Sequence, residues 1–264
     1  ILQAVLQFIL PRLMERKRAH RNSKSRRGKK PYILLVSGPQ GSGKSTLVRE
    51  LRADLKTRGL GVAIMSLDDL YLTYEEQKRL TQGTKNPLWR GRGLPGTHDV
   101  ELGRRVMQAL VEGRTVRLPR FDKAANHGMG DRSAEGVLVG QSPVDVVLFE
   151  GWCLGYRSMQ EGELEEAWTR ESSSLPSSLQ GQVSLKDVQE VNEQLRQGIE
   201  PWLERADGVV EIRTKEISTI YNWREGAEAQ LRTVSGQGLS VEEVRRMVDR
   251  FAVMYQLWWP WMRT

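Results

Sequence analysis

Pro31-Tyr32-Ile33-Leu34-Leu35-Val36-Ser37-Gly38-Pro39-Gln40-Gly41-Ser42-Gly43-Lys44-Ser45-Thr46 is an apolar run that breaks into glycines and ends on a lysine and two hydroxyls. Tyr32 to Val36, bounded by Pro31 and Gly38, predicts a strand buried on both faces. Gly38 to Ser45 satisfies G-x-x-x-x-G-K-[ST], and Thr46 to Lys56 continues with Leu47, Leu51 and Leu55 at helical spacing. Strand, glycine loop and helix in that order predict a phosphate cradle. The loop Gly38, Pro39, Gln40, Gly41, Ser42 and Gly43 would surround a nucleotide's phosphates with its backbone N–H groups, Pro39 excepted, where the helix dipole favours anions. Lys44 would reach the β and γ phosphates, Ser45 would offer a hydroxyl to Mg²⁺, and Thr46 would complete the turn.

Working outward, Val62 to Leu67, Val144 to Phe149 and Val209 to Ile212 predict further strands. Helical faces appear at Leu102 to Leu110, Val188 to Trp202 and Val241 to Tyr255. Alternation of this kind predicts an α/β fold: a P-loop NTPase with a mostly parallel sheet and helices on both faces. Glu150 follows Val146-Val147-Leu148-Phe149, which puts a carboxylate at the ligand-binding edge of the sheet and makes it a magnesium candidate. Asp68 and Asp69 end the second strand. Side chains alternate along a strand, so one of the two faces the phosphates, as a base or magnesium contact, while capping of a following helix is the structural alternative.

The chain has 264 residues and a net charge of +7, enough length for one large domain. Residues 1–31 hold ten Lys/Arg against Glu15 alone, so the rest of the chain sums to −2. A folded basic face for nucleic acid is therefore not expected. Leu2 to Leu13 predicts a short helix, and the basic run from Arg16 to Lys30 reads as a linker, although transit peptides and membrane-surface patches share its composition. We therefore expect residues 1–30 to stand apart from a domain at 31–264. Glu161 to Ser184, acidic and then Ser-rich, reads as a disordered insertion. Ile1 to Leu10 is too short for a membrane span, and the lone Cys153 fits a reducing compartment, cytoplasmic or organellar.

Together these segments resemble the phosphoribulokinase/uridine kinase group of P-loop kinases and, within it, the D-glycerate 3-kinase family with its fungal homologues. The resemblance lies in Ser37 to Ser45, Leu67-Asp68-Asp69-Leu70-Tyr71-Leu72-Thr73 and Gly91-Arg92-Gly93-Leu94-Pro95-Gly96-Thr97-His98-Asp99. It continues in Leu118 to Lys123, Gly130-Asp131-Arg132, Phe149 to Gly155 and Tyr221-Asn222-Trp223-Arg224. It departs at Ala124, where the family has Ser, and at Glu225-Gly226, where its lid reads Leu-Gln.

What the resemblance implies is ATP and Mg²⁺ as cofactors, a helical lid, and transfer of the γ-phosphate to the 3-hydroxyl of D-glycerate. It prefers Asp68 to Asp69 as base and magnesium neighbour, puts Glu150 at the metal, and assigns Arg224, with Arg232 two turns on, to the lid. A small anionic alcohol needs a cation for its carboxylate. Arg92, Lys123 and Arg132 are the candidates, with His98 for a hydroxyl; His20 and His127 receive no role. Two other readings stand beside this one: a P-loop kinase for another alcohol, such as a nucleoside or sugar acid, and an ATPase regulator acting through the basic arm.

Overall fold

The computed structural model describes residues 1–22, 30–140, 142–235 and 238–259. Its centre is a parallel four-stranded sheet of β1 (Tyr32–Ser37), β2 (Val62–Ser66), β7 (Val146–Gly151) and β8 (Gly208–Glu211), in the order β2-β7-β1-β8. β1 and β7 are buried along their whole length, as continuous apolar runs require. Alternation divides their side chains between two cores. Leu34, Val36, Val146 and Leu148 face α1 (Leu2–Asn22) and α2 (Lys44–Thr57). Ile33, Leu35, Val147 and Phe149 face α4 (Val100–Val111), α5 (Glu161–Glu171), α6 (Leu185–Gln194) and α9 (Val241–Trp258).

The short α3 (Tyr74–Gly83) begins in a capping box of Thr73 with Glu76, and α7 (Glu200–Glu204) leads into β8. Two antiparallel pairs stand outside the main sheet: β3 (Val116–Leu118) with β6 (Val137–Val139), and β4 (Phe121–Asp122) with β5 (Asp131–Arg132). The expected lid is α8 (Ser218–Ser235).

Two expectations about organisation are corrected. The first concerns α1, which runs to Asn22 and does not stand apart. Val5, Leu6, Ile9 and Leu13 are buried against the sheet and α2, each such side chain contributing about 1.5–3 kcal/mol. Arg16, read as linker, donates to both carboxylate oxygens of Asp207 at 2.9 and 3.1 Å, and Asp207 in turn accepts from Ile33 N at 2.8 Å. The boundary at residue 30 therefore falls inside one domain; residues 23–29 of the expected linker lie outside the described residues.

The second correction concerns Glu161 to Ser184, which is ordered. α5 buries Leu164 and Ala167, and Leu175, Leu179 and Val183 anchor the Ser-rich part in the larger core. Trp258 and Trp259 pack in that core as well, and Trp261 lies outside the described residues. No described helix is long and apolar enough to cross a membrane.

Candidate active site

The site opens at the carboxyl edge of the sheet. Parallel register aligns Val36, Glu150 and Ser66 across β1, β7 and β2, so the glycine loop leaving β1 meets the ends of the other two strands. Gly43, at φ 84°, precedes α2, and Lys44 and Ser45 form its first turn. Gly41 has φ 77°, and a Cβ there would come within 2.8 Å of Trp223 Cβ, so only glycine lets α8 close over the loop. Lys44 Nζ donates to Pro39 O at 2.8 Å. The buried Ser42 hydroxyl has no partner among the described residues, which leaves it for a phosphate oxygen. Gln40 accepts from Tyr255 OH, and Thr46 Oγ1 accepts from Arg49 at 3.3 Å.

Glu150 lies against this loop. Its Oε1 accepts from Ser45 Oγ and from Ser66 Oγ, each at 3.0 Å. Burial pushes the Glu150 carboxyl up, against the pull of Lys44. Burial likewise lowers the Lys44 ammonium, while Glu150 and Asp68 oppose the shift. Hydroxyl and carboxylate oxygens from Ser45, Asp68 and Glu150 are the hard donors that Mg²⁺ takes.

The two aspartates after β2 diverge. Asp69 accepts from Phe121 N at 3.0 Å and pairs with Arg120, which ties the strand end to β4. Asp68 faces the loop. Its Oδ1 accepts from Tyr71 OH at 2.8 Å and its Oδ2 from Lys123 Nζ at 2.5 Å. Burial works against the charge on Asp68, but Lys123, Tyr71 and Lys44 outweigh it and hold the carboxyl below the usual carboxylate range.

Tyr71 stacks on His98 at 4.8 Å and pairs with it through a β-bridge. Both His98 ring nitrogens are buried without a partner among the described residues. Burial lowers the imidazole pKa to about 4, so His98 is neutral at physiological pH, with a donor and an acceptor free for a hydroxyl. Arg132 Nη2 donates to Tyr71 O at 3.0 Å and pairs with Asp99 at 3.2 Å, which braces the loop that carries His98.

Arg92 Nη1 donates to Gly128 O at 3.0 Å and Met129 O at 2.5 Å, and its Cζ lies 5.4 Å from the Phe121 ring centre. On α8, Arg224 pairs with the buried Glu228 and keeps an unpartnered Nε. Arg232 turns instead to Leu239 O, where it fastens the loop between α8 and α9. His127 lies in the β4–β5 connection at φ 56°, and the His20 side chain lies outside the described residues.

Sequence reasoning missed Ser66, Tyr71 and Arg250. Arg250 carries a usable signal: it is three residues after Met247 and four before Met254, both packed against the core, so its charge lies beside apolar packing residues on the helix.

No family model matches this chain. It is 36% identical over 231 residues to the uncharacterized kinase mug58 of Schizosaccharomyces pombe, spanning 86% of this chain and 80% of that one. It is 34% identical over 238 residues to the chloroplastic D-glycerate 3-kinase of Arabidopsis thaliana, spanning 87% of this chain and 48% of that one. The solved structure of a D-glycerate 3-kinase from Cryptococcus neoformans superposes with a TM-score of 0.86 at 31% identity, covering 100% of this chain and 90% of that one. With the P-loop and the strand-end carboxylates in register beneath these likenesses, the chain belongs to the D-glycerate 3-kinase family with its fungal kinase homologues, and it is an ATP-dependent P-loop kinase.

Proposed function

We propose that the protein transfers the γ-phosphate of ATP to the 3-hydroxyl of D-glycerate. The observation that carries this reading is the placement of Asp68. A carboxylate held ionised by Lys123 and Tyr71 faces Lys44 and Glu150 at the edge of the sheet where P-loop phosphates lie.

Phosphoryl transfer passes through a loose transition state, so positioning and charge neutralisation supply most of the catalysis. The loop amides and Lys44 hold the β and γ phosphates, and Ser42 adds a hydroxyl donor. Ser45, Asp68 and Glu150 would hold Mg²⁺. Its charge would offset the negative charge of the phosphates during transfer.

Asp68 orients the acceptor hydroxyl and takes its proton late, as bonding to phosphorus completes; its low pKa keeps it ionised across the physiological range. Lys123, half-exposed and paired with Asp68, shields the carboxylate from the incoming phosphates. Arg224 lies near Arg92 on the helix that closes over Gly41, which suits it to neutralise the transferring group as an arginine finger does. His98 binds the neighbouring hydroxyl, Arg92 meets the carboxylate, and Arg132 steadies Tyr71. Steady-state ADP release, coupled to a reporter, tests this reading. D-glycerate should give the highest kcat/KM among D-glycerate, L-glycerate, uridine and sugar acids, and a preference for uridine would reject it.

A further inference from the structure

α9 lays Arg250 beneath the Gly91–Asp99 loop. Its Nη1 donates to Gly91 O at 2.9 Å, and a Cβ at Gly91 would come within 2.8 Å of Nη1 and 3.2 Å of Cζ. A side chain at Gly91 would therefore have to displace the guanidinium. The neighbouring Phe251 packs edge-on against Trp152 at 5.0 Å, and Trp152 Nε1 donates to Gly93 O at 2.8 Å. The loop is thus pinned on both sides of Arg92.

The cations around the site fall into two groups. Arg120 pairs with Asp69, Lys123 with Asp68, Arg132 with Asp99 and Arg224 with Glu228. Arg92 and Arg250 have no carboxylate within ion-pair distance among the described residues; they donate to backbone carbonyls only. Burial disfavours the charge of each, and each is felt by Tyr71, the residue bonded to Asp68. Arg92 also acts on Arg250 as a like charge. Two part-buried guanidiniums at one loop without a counter-charge are less favourable than the same pair joined by an anion.

We propose that Arg250, with Arg92, holds the carboxylate of the acceptor and so restricts the enzyme to alcohols that carry an acid group. This rests on the kinase reading above and deepens it. Arg92 lies over Phe121, which packs edge-on against Tyr71, and Tyr71 bonds to Asp68, so an anion held by the two arginines would keep the acceptor's hydroxyl near the carboxylate that orients it. Tyr255, five residues further along α9, bonds to Gln40 of the phosphate loop, so one helix ties the nucleotide half to the acceptor half.

The test uses the full chain carrying Arg250→Gln, with KM for acceptor and for ATP measured separately. Loss of a charge-assisted contact should raise acceptor KM about 10- to 100-fold, with ATP KM within about twofold and kcat reduced less than KM. Arg250→Lys keeps the charge without the fork and should fall between wild type and Gln; it carries the test if the Gln variant does not fold. A different hydroxy acid that replaces D-glycerate as best acceptor, with its KM raised by Arg250→Gln, would reject the glycerate assignment and support the Arg250 assignment. An unchanged acceptor KM, an equal rise in ATP KM, or wild-type enzyme using glycerol as well as the acids would overturn the Arg250 assignment.

Discussion

In the proposed reading, the nucleotide half and the acceptor half of the site are built in opposite ways. The nucleotide half comes from one contiguous stretch, Gly38 to Thr46, joined at Glu150 by a carboxylate that strand register alone brings alongside. The acceptor half gathers Asp68, Tyr71, Arg92, His98, Lys123, Arg132 and Arg250 from separate segments; Asp68 pairs with Lys123 and Arg132 with Asp99, while Arg92 and Arg250 donate to backbone carbonyls. Phosphate binding needs backbone geometry, which a short local sequence encodes. Selecting a small acid needs side chains that converge from several directions, which only tertiary structure arranges.

The sharpest way to break the comparison is Lys44→Ala. In the proposed reading its ammonium serves the phosphates, and it makes no ion pair among the described residues, so kcat should drop about 10²- to 10³-fold with an unchanged melting curve. Near-normal turnover would remove the nucleotide half from the account.

Asp68→Asn comes next, with kcat reduced about 10²-fold and ATP KM little changed. Asp69→Asn should instead lower the melting temperature, because Asp69 secures Phe121 and Arg120. Equal kinetic effects from both variants would contradict the division between them.

A third comparison sets α1 against the rest of the domain. Ile9 is fully buried, so Ile9→Ala should cost about 2–4 kcal/mol in urea unfolding. A change within error would restore α1 to an independent arm.

The smallest effect is one of pH. Burial holds His98 at about 4 against 6.5 in the unfolded chain. The unfolded state therefore binds the extra proton first, and stability falls as pH drops from 6.5 towards 4, by about 2–3 kcal/mol. His98→Gln should flatten urea-unfolding stability over that window. An unaltered pH profile would show that His98 is not the group responsible.

The same contrast explains what could be read from the chain. β1, the glycine loop and α2 were legible because each rests on neighbours in sequence, and Glu150 because an apolar run ending in an acid has one plausible place. The Arg16 to Asn22 part of α1 was not, since Arg16 and Lys17 look like solvated charge until Asp207 and Gly59 O meet them in the fold. The Ser-rich segment misled because its sparse anchors, Leu175, Leu179 and Val183, are spaced by four but stand among Ser, Pro, Gly and Gln, which do not read as a helix. β4 and β5, at two residues each, are too short to show alternation. Among the cations, residue type made Arg92, Lys123 and Arg132 equal candidates; only their partners separate them, and those partners lie 33 to 55 positions away for Arg132 and Lys123.

The most direct test of the central claim is the identity of the product. Incubated with ATP, Mg²⁺ and D-glycerate, the protein should yield a phosphate monoester on the 3-oxygen, read by ³¹P and ¹³C NMR, and glycerol under the same conditions should yield none. Phosphate on the 2-oxygen, or free phosphate and ADP without an ester, would contradict it.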